Sequence, residues 1–550
     1  MKNPPLDVQH STFINLFKTY RWNELYESVK LTQYYPATSI QNQHDLAVKA
    51  MLLVAWWSDS ISAKEILRLY PPIIKEPIIH FVLTYAYMCL GDKEKIKLYL
   101  SKKPKNYPKW MESYLDIEFC GRSLQFEKQI NLMQKLTSKN QYPQDYIKIA
   151  LLQSLEHQKA DITFLQTFLS EINLSEDTNP LSIALCMRCS LINIDDIDTN
   201  SFPLLTEKKA SILLLRHKCV ESLKEFDSLA NTKYLDIYSI NKWLSLAISL
   251  PQAKEYYLQR VNFALNLVPN SLFIQGTIAS YAMIFAWLSG DYNLAYGIVT
   301  KYNQYKELPR TDFIKNAIVF FNYILHLCVN WQHNRTLYDN KLPNYKELNA
   351  FGESHSLSLS NINFFMNTDN FHANSSFIMG IKMYHLSNPS SSYHAACLLE
   401  HFKFIKPNTD IMFTIGEIDT RPDEGIWQVH LKKEKNLDEI IDNTVGGYID
   451  FLYENLKDKN LLSVTIQGIP APNYALEGDK DPKDKEGFLN MIKQVNEKLQ
   501  ELTLEKGWNF LDVYSATVGE DGMSNKQWHI DGYHLQPIFY TEADKWLVKA

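Results

Sequence analysis

The feature that most constrains this chain is a change of hydrophobic period around residues 333–345. Up to about residue 332 apolar residues recur at helical spacing and no convincing strand appears. Beyond it, short apolar runs that stop at glycine alternate with amphipathic helices. Two periods in one chain predict a multidomain protein. An all-α region spans 1–332, a polar linker (HNRTLYDNKLPNY) covers 333–345, and an α/β domain with a mostly parallel sheet fills 346–550. A length of 550 residues also exceeds what one hydrophobic core serves, and 45% hydrophobic content is ample for two.

The helical region carries repeated punctuation. Tyr35-Pro36, Tyr70-Pro71-Pro72, Lys103-Pro104 and Val268-Pro269 close helices, and Leu90-Gly91-Asp92-Lys93 and Ser289-Gly290-Asp291-Tyr292 join them. In the clearest unit, Gly276 to Tyr302, small residues (Ala279, Ala282, Ala286, Ala295) alternate with large ones (Tyr281, Phe285, Trp287, Tyr292), which suits close helix packing. That unit resembles a tetratricopeptide repeat, with partial matches from Tyr85 and around Trp22, although the spacing drifts and 110–250 carries little of the pattern. A helical-repeat solenoid is the expectation. Such arrays present a concave surface to a protein segment, or they support or dimerise the domain they are attached to.

In the second region strands are expected over Glu347 to Phe351, Met412 to Ile415, Leu461 to Gln467 and Trp508 to Tyr514, and helices over Ala395 to Phe404, Leu437 to Leu456 and Gly487 to Leu504. Ligands of such sheets lie beyond the carboxyl ends of the strands, where Gly352, Gly416 and Gly468 fall. The first strand runs into Gly352-Glu353-Ser354-His355-Ser356 and so presents a serine there. A serine hydroxyl becomes a nucleophile when a base takes its proton and an acceptor orients that base. Asp531-Gly532-Tyr533-His534 supplies both from one loop. The second glycine of a GxSxG elbow is missing, which argues against an ordinary α/β-hydrolase.

On these residues the last ~200 positions, a common domain size, resemble the SGNH (GDSL-like) hydrolase superfamily. The resemblance implies a three-layer, flavodoxin-like α/β fold with Ser354 as nucleophile, His534 as base and Asp531 as its orienting acid. It also implies Gly380, in Phe377-Ile378-Met379-Gly380, as the second-block glycine, and an oxyanion hole of the Ser354 and Gly380 N–H groups with an asparagine side chain. Two positions depart from the pattern. Glu353 replaces an aspartate, and Ile418 in Gly416-Glu417-Ile418-Asp419-Thr420-Arg421 stands where the asparagine is expected. Removing one oxyanion donor typically costs about 10²–10³ in rate. Arg421 could replace that donor or hold an anionic substrate group, with Glu417 and Asp419 beside it as further substrate-binding candidates; the alternative is a structural ion pair.

The expected activity is that of a serine esterase or acyltransferase on an O-acyl group, with a carbohydrate ester as the substrate class the resemblance implies. The alternative is an inactive SGNH-like domain that serves as a ligand-binding and protein-interaction scaffold. His355 and Ser356 are candidate caps of the next helix, and His529 either supports the site or packs its loop. Glu353, Asp419, Asp531 and His534 have no recognised metal spacing, so neither metal nor cofactor is expected. A net charge of -6 gives no footprint for nucleic acid. Ala317 to Val329 is too short to span a bilayer and is expected as a buried helix. Seven thinly spread cysteines, including the lone Cys186-Met187-Arg188-Cys189, and a start without a secretory pattern suggest a cytoplasmic protein without membrane spans.

Overall fold

The structure, a computed structural model, describes residues 344–550 apart from 434–435. Before these it describes 203–231, 237–251, 254–267, 272–307 and 315–338, parts of 80–132, and Met187 and Ile194. The partial repeats around Trp22 and Gly91-Asp92, and the cysteines of the CxxC, lie outside the described residues.

The described part of the first region is helical. Helices Leu272–Leu288 and Tyr292–Lys301 form the expected hairpin. Gly290 turns the chain at φ +77°, a left-handed conformation that glycine adopts without steric cost. Asp291 then caps the second helix by accepting the Leu294 N–H at 3.0 Å. Ala279, Ala282, Ala286 and Ala295 are all buried, and Trp287 meets Tyr292 edge-on with centroids 5.0 Å apart. Helix Lys315–His333 contains the expected apolar run and buries Ile318, Phe321, Tyr323, Ile324 and Leu327. A solenoid beyond these helices remains an expectation of the sequence.

The second region is built on a seven-stranded sheet. Its strands are β1 (Lys346–Gly352), β2 (Asn363–Met366), β3 (Asp369–Phe377), β4 (Asp410–Thr414), β5 (Ser463–Gln467), β6 (Asn509–Leu511) and β7 (Leu547–Val548), in the order β2-β3-β1-β4-β5-β6-β7. The five inner strands β3, β1, β4, β5 and β6 are parallel, and β2 and β7 add antiparallel edges. The strand order reverses direction at β1, so the switch point of the parallel sheet lies between β1 and β4. β1 and β4 are buried along most of their length, as strands covered by helices on both faces must be.

Several expectations need correction. The hairpin β2–β3 was not expected; its turn, Asn367-Thr368, has φ of 50° and 68°, the positive pair of a tight hairpin turn. The fourth expected strand ends early at Leu511, because Asp512 accepts the Ser515 N–H at 3.0 Å and caps helix Val513–Thr517. The Asp531–His534 loop lies between β6 and a short further strand, β7, which was not expected. The expected helix Leu437 to Leu456 contains a π-turn at Asp442–Gly446.

The two regions share one continuous core. Trp287 Nε1 donates to the Leu357 carbonyl at 2.9 Å, and the Asn361 side-chain amide donates to the carbonyls of Trp287 and Leu288, each at 3.1 Å. Ser249 Oγ accepts the Met379 N–H at 3.0 Å. The helices therefore fix the loops that follow β1 and β3, and those loops carry the candidate site.

Candidate active site

Ser354 sits immediately beyond β1. Gly352 is required there by close packing: a Cβ would lie 1.9 Å from Thr414 Oγ1 and 2.6 Å from its carbonyl oxygen on β4. This approach lets Glu353 N–H reach the Thr414 carbonyl at 3.3 Å, so the chain turns sharply and Ser354 emerges at the switch point.

The Asp531–His534 loop is a self-contained hydrogen-bonded unit. Asp531 Oδ1 accepts the N–H groups of Tyr533 and His534, both at 2.8 Å, while Oδ2 lies 2.8 Å from His534 Nδ1. Three residues is the spacing at which one carboxylate can hold both its own turn and the histidine ring. Asn473 Nδ2 anchors the turn by donating to the Asp531 carbonyl at 2.8 Å. Burial pushes the Asp531 carboxyl up, but the facing His534 imidazole holds it below its ordinary value, so it is ionised at neutral pH.

Across the crevice His534 Nε2 is 2.8 Å from Ser354 Oγ, so Ser354, His534 and Asp531 form one hydrogen-bonded line, the arrangement that a nucleophile, its base and an orienting acid require. Ser354 is 5% exposed and Asp531 caps the far side. Gly380, at φ +75°, lies in the loop that follows β3. Among the described residues, no protein acceptor takes the N–H of Ser354 or of Gly380.

Two functional contacts were not foreseen. Glu353 Oε2 lies 2.5 Å from Ser354 Oγ, and its Oε1 lies 2.6 Å from His355 Nδ1. Burial would raise the Glu353 carboxyl, yet the His355 imidazole and the serine hydroxyl bring it below its ordinary value, and Glu353 in turn raises His355 against its own burial. Ser354 is thus flanked by two carboxylate–imidazole pairs. A hydroxyl carries one proton, so Ser354 can donate to Glu353 or to His534 but not to both. The second contact is Tyr323, from helix Lys315–His333, whose ring stacks on His534 with centroids 3.7 Å apart and planes at 13°. Its hydroxyl donates to the Ser354 carbonyl at 3.2 Å and lies 2.5 Å from Ser358 Oγ. Neither partner is close to the other in sequence. Only the glycine-bounded strand end and the amphipathic 317–329 helix were visible signals.

The block after β4 is committed to bracing. Arg421 Nε lies 3.0 and 2.9 Å from the two Glu417 oxygens, and Nη2 lies 2.5 Å from Oε2; Nη1 reaches Glu424 at 3.4 Å. Asp419 accepts the N–H groups of Met383 at 2.7 Å and Tyr384 at 3.2 Å, which ties the β4 loop to the segment following Gly380. Burial raises Asp419 to about 7, with those two N–H groups opposing. Ile418 is half-exposed and brings no hydrogen-bonding side chain. His355 and Ser356 do not cap the next helix: His355 is held by Glu353, and Ser356 Oγ donates to the Glu353 carbonyl at 2.8 Å. His529 lies 2.9 Å from Ser524 Oγ in the same hairpin as His534, and burial lowers it to about 4. Among the described residues no three His, Cys, Asp or Glu side chains are grouped so as to hold a metal ion, and no helix is long and apolar enough to cross a membrane.

In comparison with known proteins, no family model, curated protein or solved structure matches this chain.

Proposed function

We propose that this chain is an SGNH-like serine esterase or acyltransferase acting on an O-acyl group, with a hydroxylated or carbohydrate ester as its substrate class. The observation that supports the reading best is the Ser354–His534–Asp531 line at the carboxyl end of the central strand, with both links at 2.8 Å. In this reading Ser354 Oγ attacks the ester carbonyl while His534 Nε2 takes its proton. Asp531 keeps the Nδ1 proton facing itself and steadies the imidazolium that forms. The N–H groups of Ser354 and Gly380 receive the oxyanion. His534 then returns the proton to the leaving alcohol, and water or an acceptor hydroxyl resolves the acyl-enzyme. The helical repeats would recruit a substrate or a protein partner, and the protein would act in the cytoplasm.

A second reading is an SGNH-like binding scaffold of low activity. It is favoured by Ile418 in place of a third oxyanion donor and by the Glu353 carboxylate against the nucleophile. Turnover of 4-nitrophenyl acetate and of a peracetylated xylo-oligosaccharide separates the two. The esterase reading expects hydrolysis that Ser354→Ala lowers by about 10³ or more. Folded wild-type protein that turns over neither compound favours the scaffold.

A further inference from the structure

Beside the catalytic loop lies a cation that the triad does not use. Lys480, in the loop after β5, is half-buried with its Nζ 4.4 Å from the ring centre of Tyr474 and 4.2 Å from that of Tyr533. It also hydrogen-bonds the Tyr533 hydroxyl. The two tyrosine rings are 5.0 Å apart at 33°, and Tyr533 is the residue before His534. Arg421 lies against the same Tyr533 ring, 4.6 Å from its centre, but its guanidinium is neutralised by Glu417 and Glu424. Among the described residues no carboxylate comes within 4.0 Å of Lys480 Nζ. An ammonium held half out of water by one hydroxyl and two aromatic faces keeps its charge uncompensated by a paired carboxylate, and an anion can replace a ring face as its partner.

We propose that Lys480, Tyr474 and Tyr533 form a substrate subsite for a carboxylate-bearing hydroxylated ester, such as one on an acidic sugar. The proposal rests on the ester chemistry assigned to the same site and adds the charge of the substrate. A single ammonium matches a singly charged carboxylate. A doubly charged phosphate monoester would bring a second negative charge towards Glu417, Asp423 and Glu424, whose charges already act on Lys480. The tyrosine rings offer apolar faces to a sugar ring, and the Tyr533 ring lies 6.2 Å, centre to centre, from that of His534.

The test is ligand-observed NMR on the full chain carrying Ser354→Ala, titrated with methyl glucuronoside, methyl glucoside and glucose 6-phosphate. It reads binding without requiring turnover. The expected result is about tenfold preference for the glucuronoside over the other two. That preference disappears in Lys480→Gln and returns in Lys480→Arg. Equal binding of glucuronoside and glucoside, no binding of either, or a preference that survives Lys480→Gln would overturn the subsite and leave Lys480 as a latch between two loops. Tighter binding of the phosphate would also refute the carboxylate assignment. Should the preference appear while wild-type protein hydrolyses no ester, the subsite stands and the esterase reading falls.

Discussion

Replacing Tyr323 tests whether the helical region is part of the site. The side chain is 1% exposed, stacked on His534 and bonded through its hydroxyl to the Ser354 loop. Tyr323→Phe keeps the ring and removes the hydroxyl. Its former partners remain satisfied, because Ser358 Oγ still donates to the Leu535 carbonyl at 2.5 Å and the Ser354 carbonyl still accepts the Leu357 N–H at 3.1 Å. The cost should therefore sit near the low end for a buried hydrogen bond, about 1 kcal/mol. Tyr323→Ala removes the ring as well and opens a cavity, a loss of about 3–5 kcal/mol. It also frees one face of His534; a ring contact of about 1 kcal/mol corresponds to about a fivefold drop in the correctly oriented population. Thermal unfolding and the rate of reaction with a fluorophosphonate check both. The expected order is a small change in each for Tyr323→Phe, and for Tyr323→Ala a large stability loss with labelling slowed about fivefold in the fraction still folded. A folded Tyr323→Ala protein that reacts at the wild-type rate would refute the claim that this helix positions the base.

Glu353→Gln removes the carboxylate that raises His355, so the His355 imidazole should titrate at lower pH in the variant, read by NMR; an unmoved titration would show that Glu353 has no electrostatic hold on it. Asp419 is buried and raised to about 7. A carboxyl raised on folding contributes stability that is fully present below its unfolded value of about 4 and lost as pH rises through its folded one. Wild-type unfolding free energy should therefore fall between about pH 4 and pH 8, by on the order of 4 kcal/mol at most, and Asp419→Asn should flatten that slope. An unchanged slope in denaturant titrations would place the titration elsewhere.

What could be read in the sequence was local. Asp531 and His534 were legible because a carboxylate and an imidazole three residues apart close one turn, and Ser354 because a glycine ends the strand before it. Gly380 came only from the family resemblance, and the strand before it, Asp369–Phe377, was missed because Asn370, His372, Asn374, Ser375 and Ser376 hide its period. Arg421 and Glu417 stand four apart, so their ion pair was among the readings weighed. Tyr323 and Lys480 were invisible as site residues: each reaches His534 or its neighbour only through the tertiary fold, and an aromatic on a buried helix or a lysine in a polar loop carries no signal of its own. The division expected near residue 333 does not separate the site from the helices, since Ser249, Trp287 and Tyr323 hold its loops from the other side.

The central claim is that Ser354 is an activated nucleophile. Its most direct measurement is the intact mass of the folded protein after exposure to a fluorophosphonate, with the adduct mapped by peptide sequencing, alongside Ser354→Ala and His534→Ala. The account predicts one adduct, on Ser354, absent from Ser354→Ala and slowed by about 10³ or more in His534→Ala. An adduct on another residue, or equal labelling of Ser354 with and without His534, would contradict it.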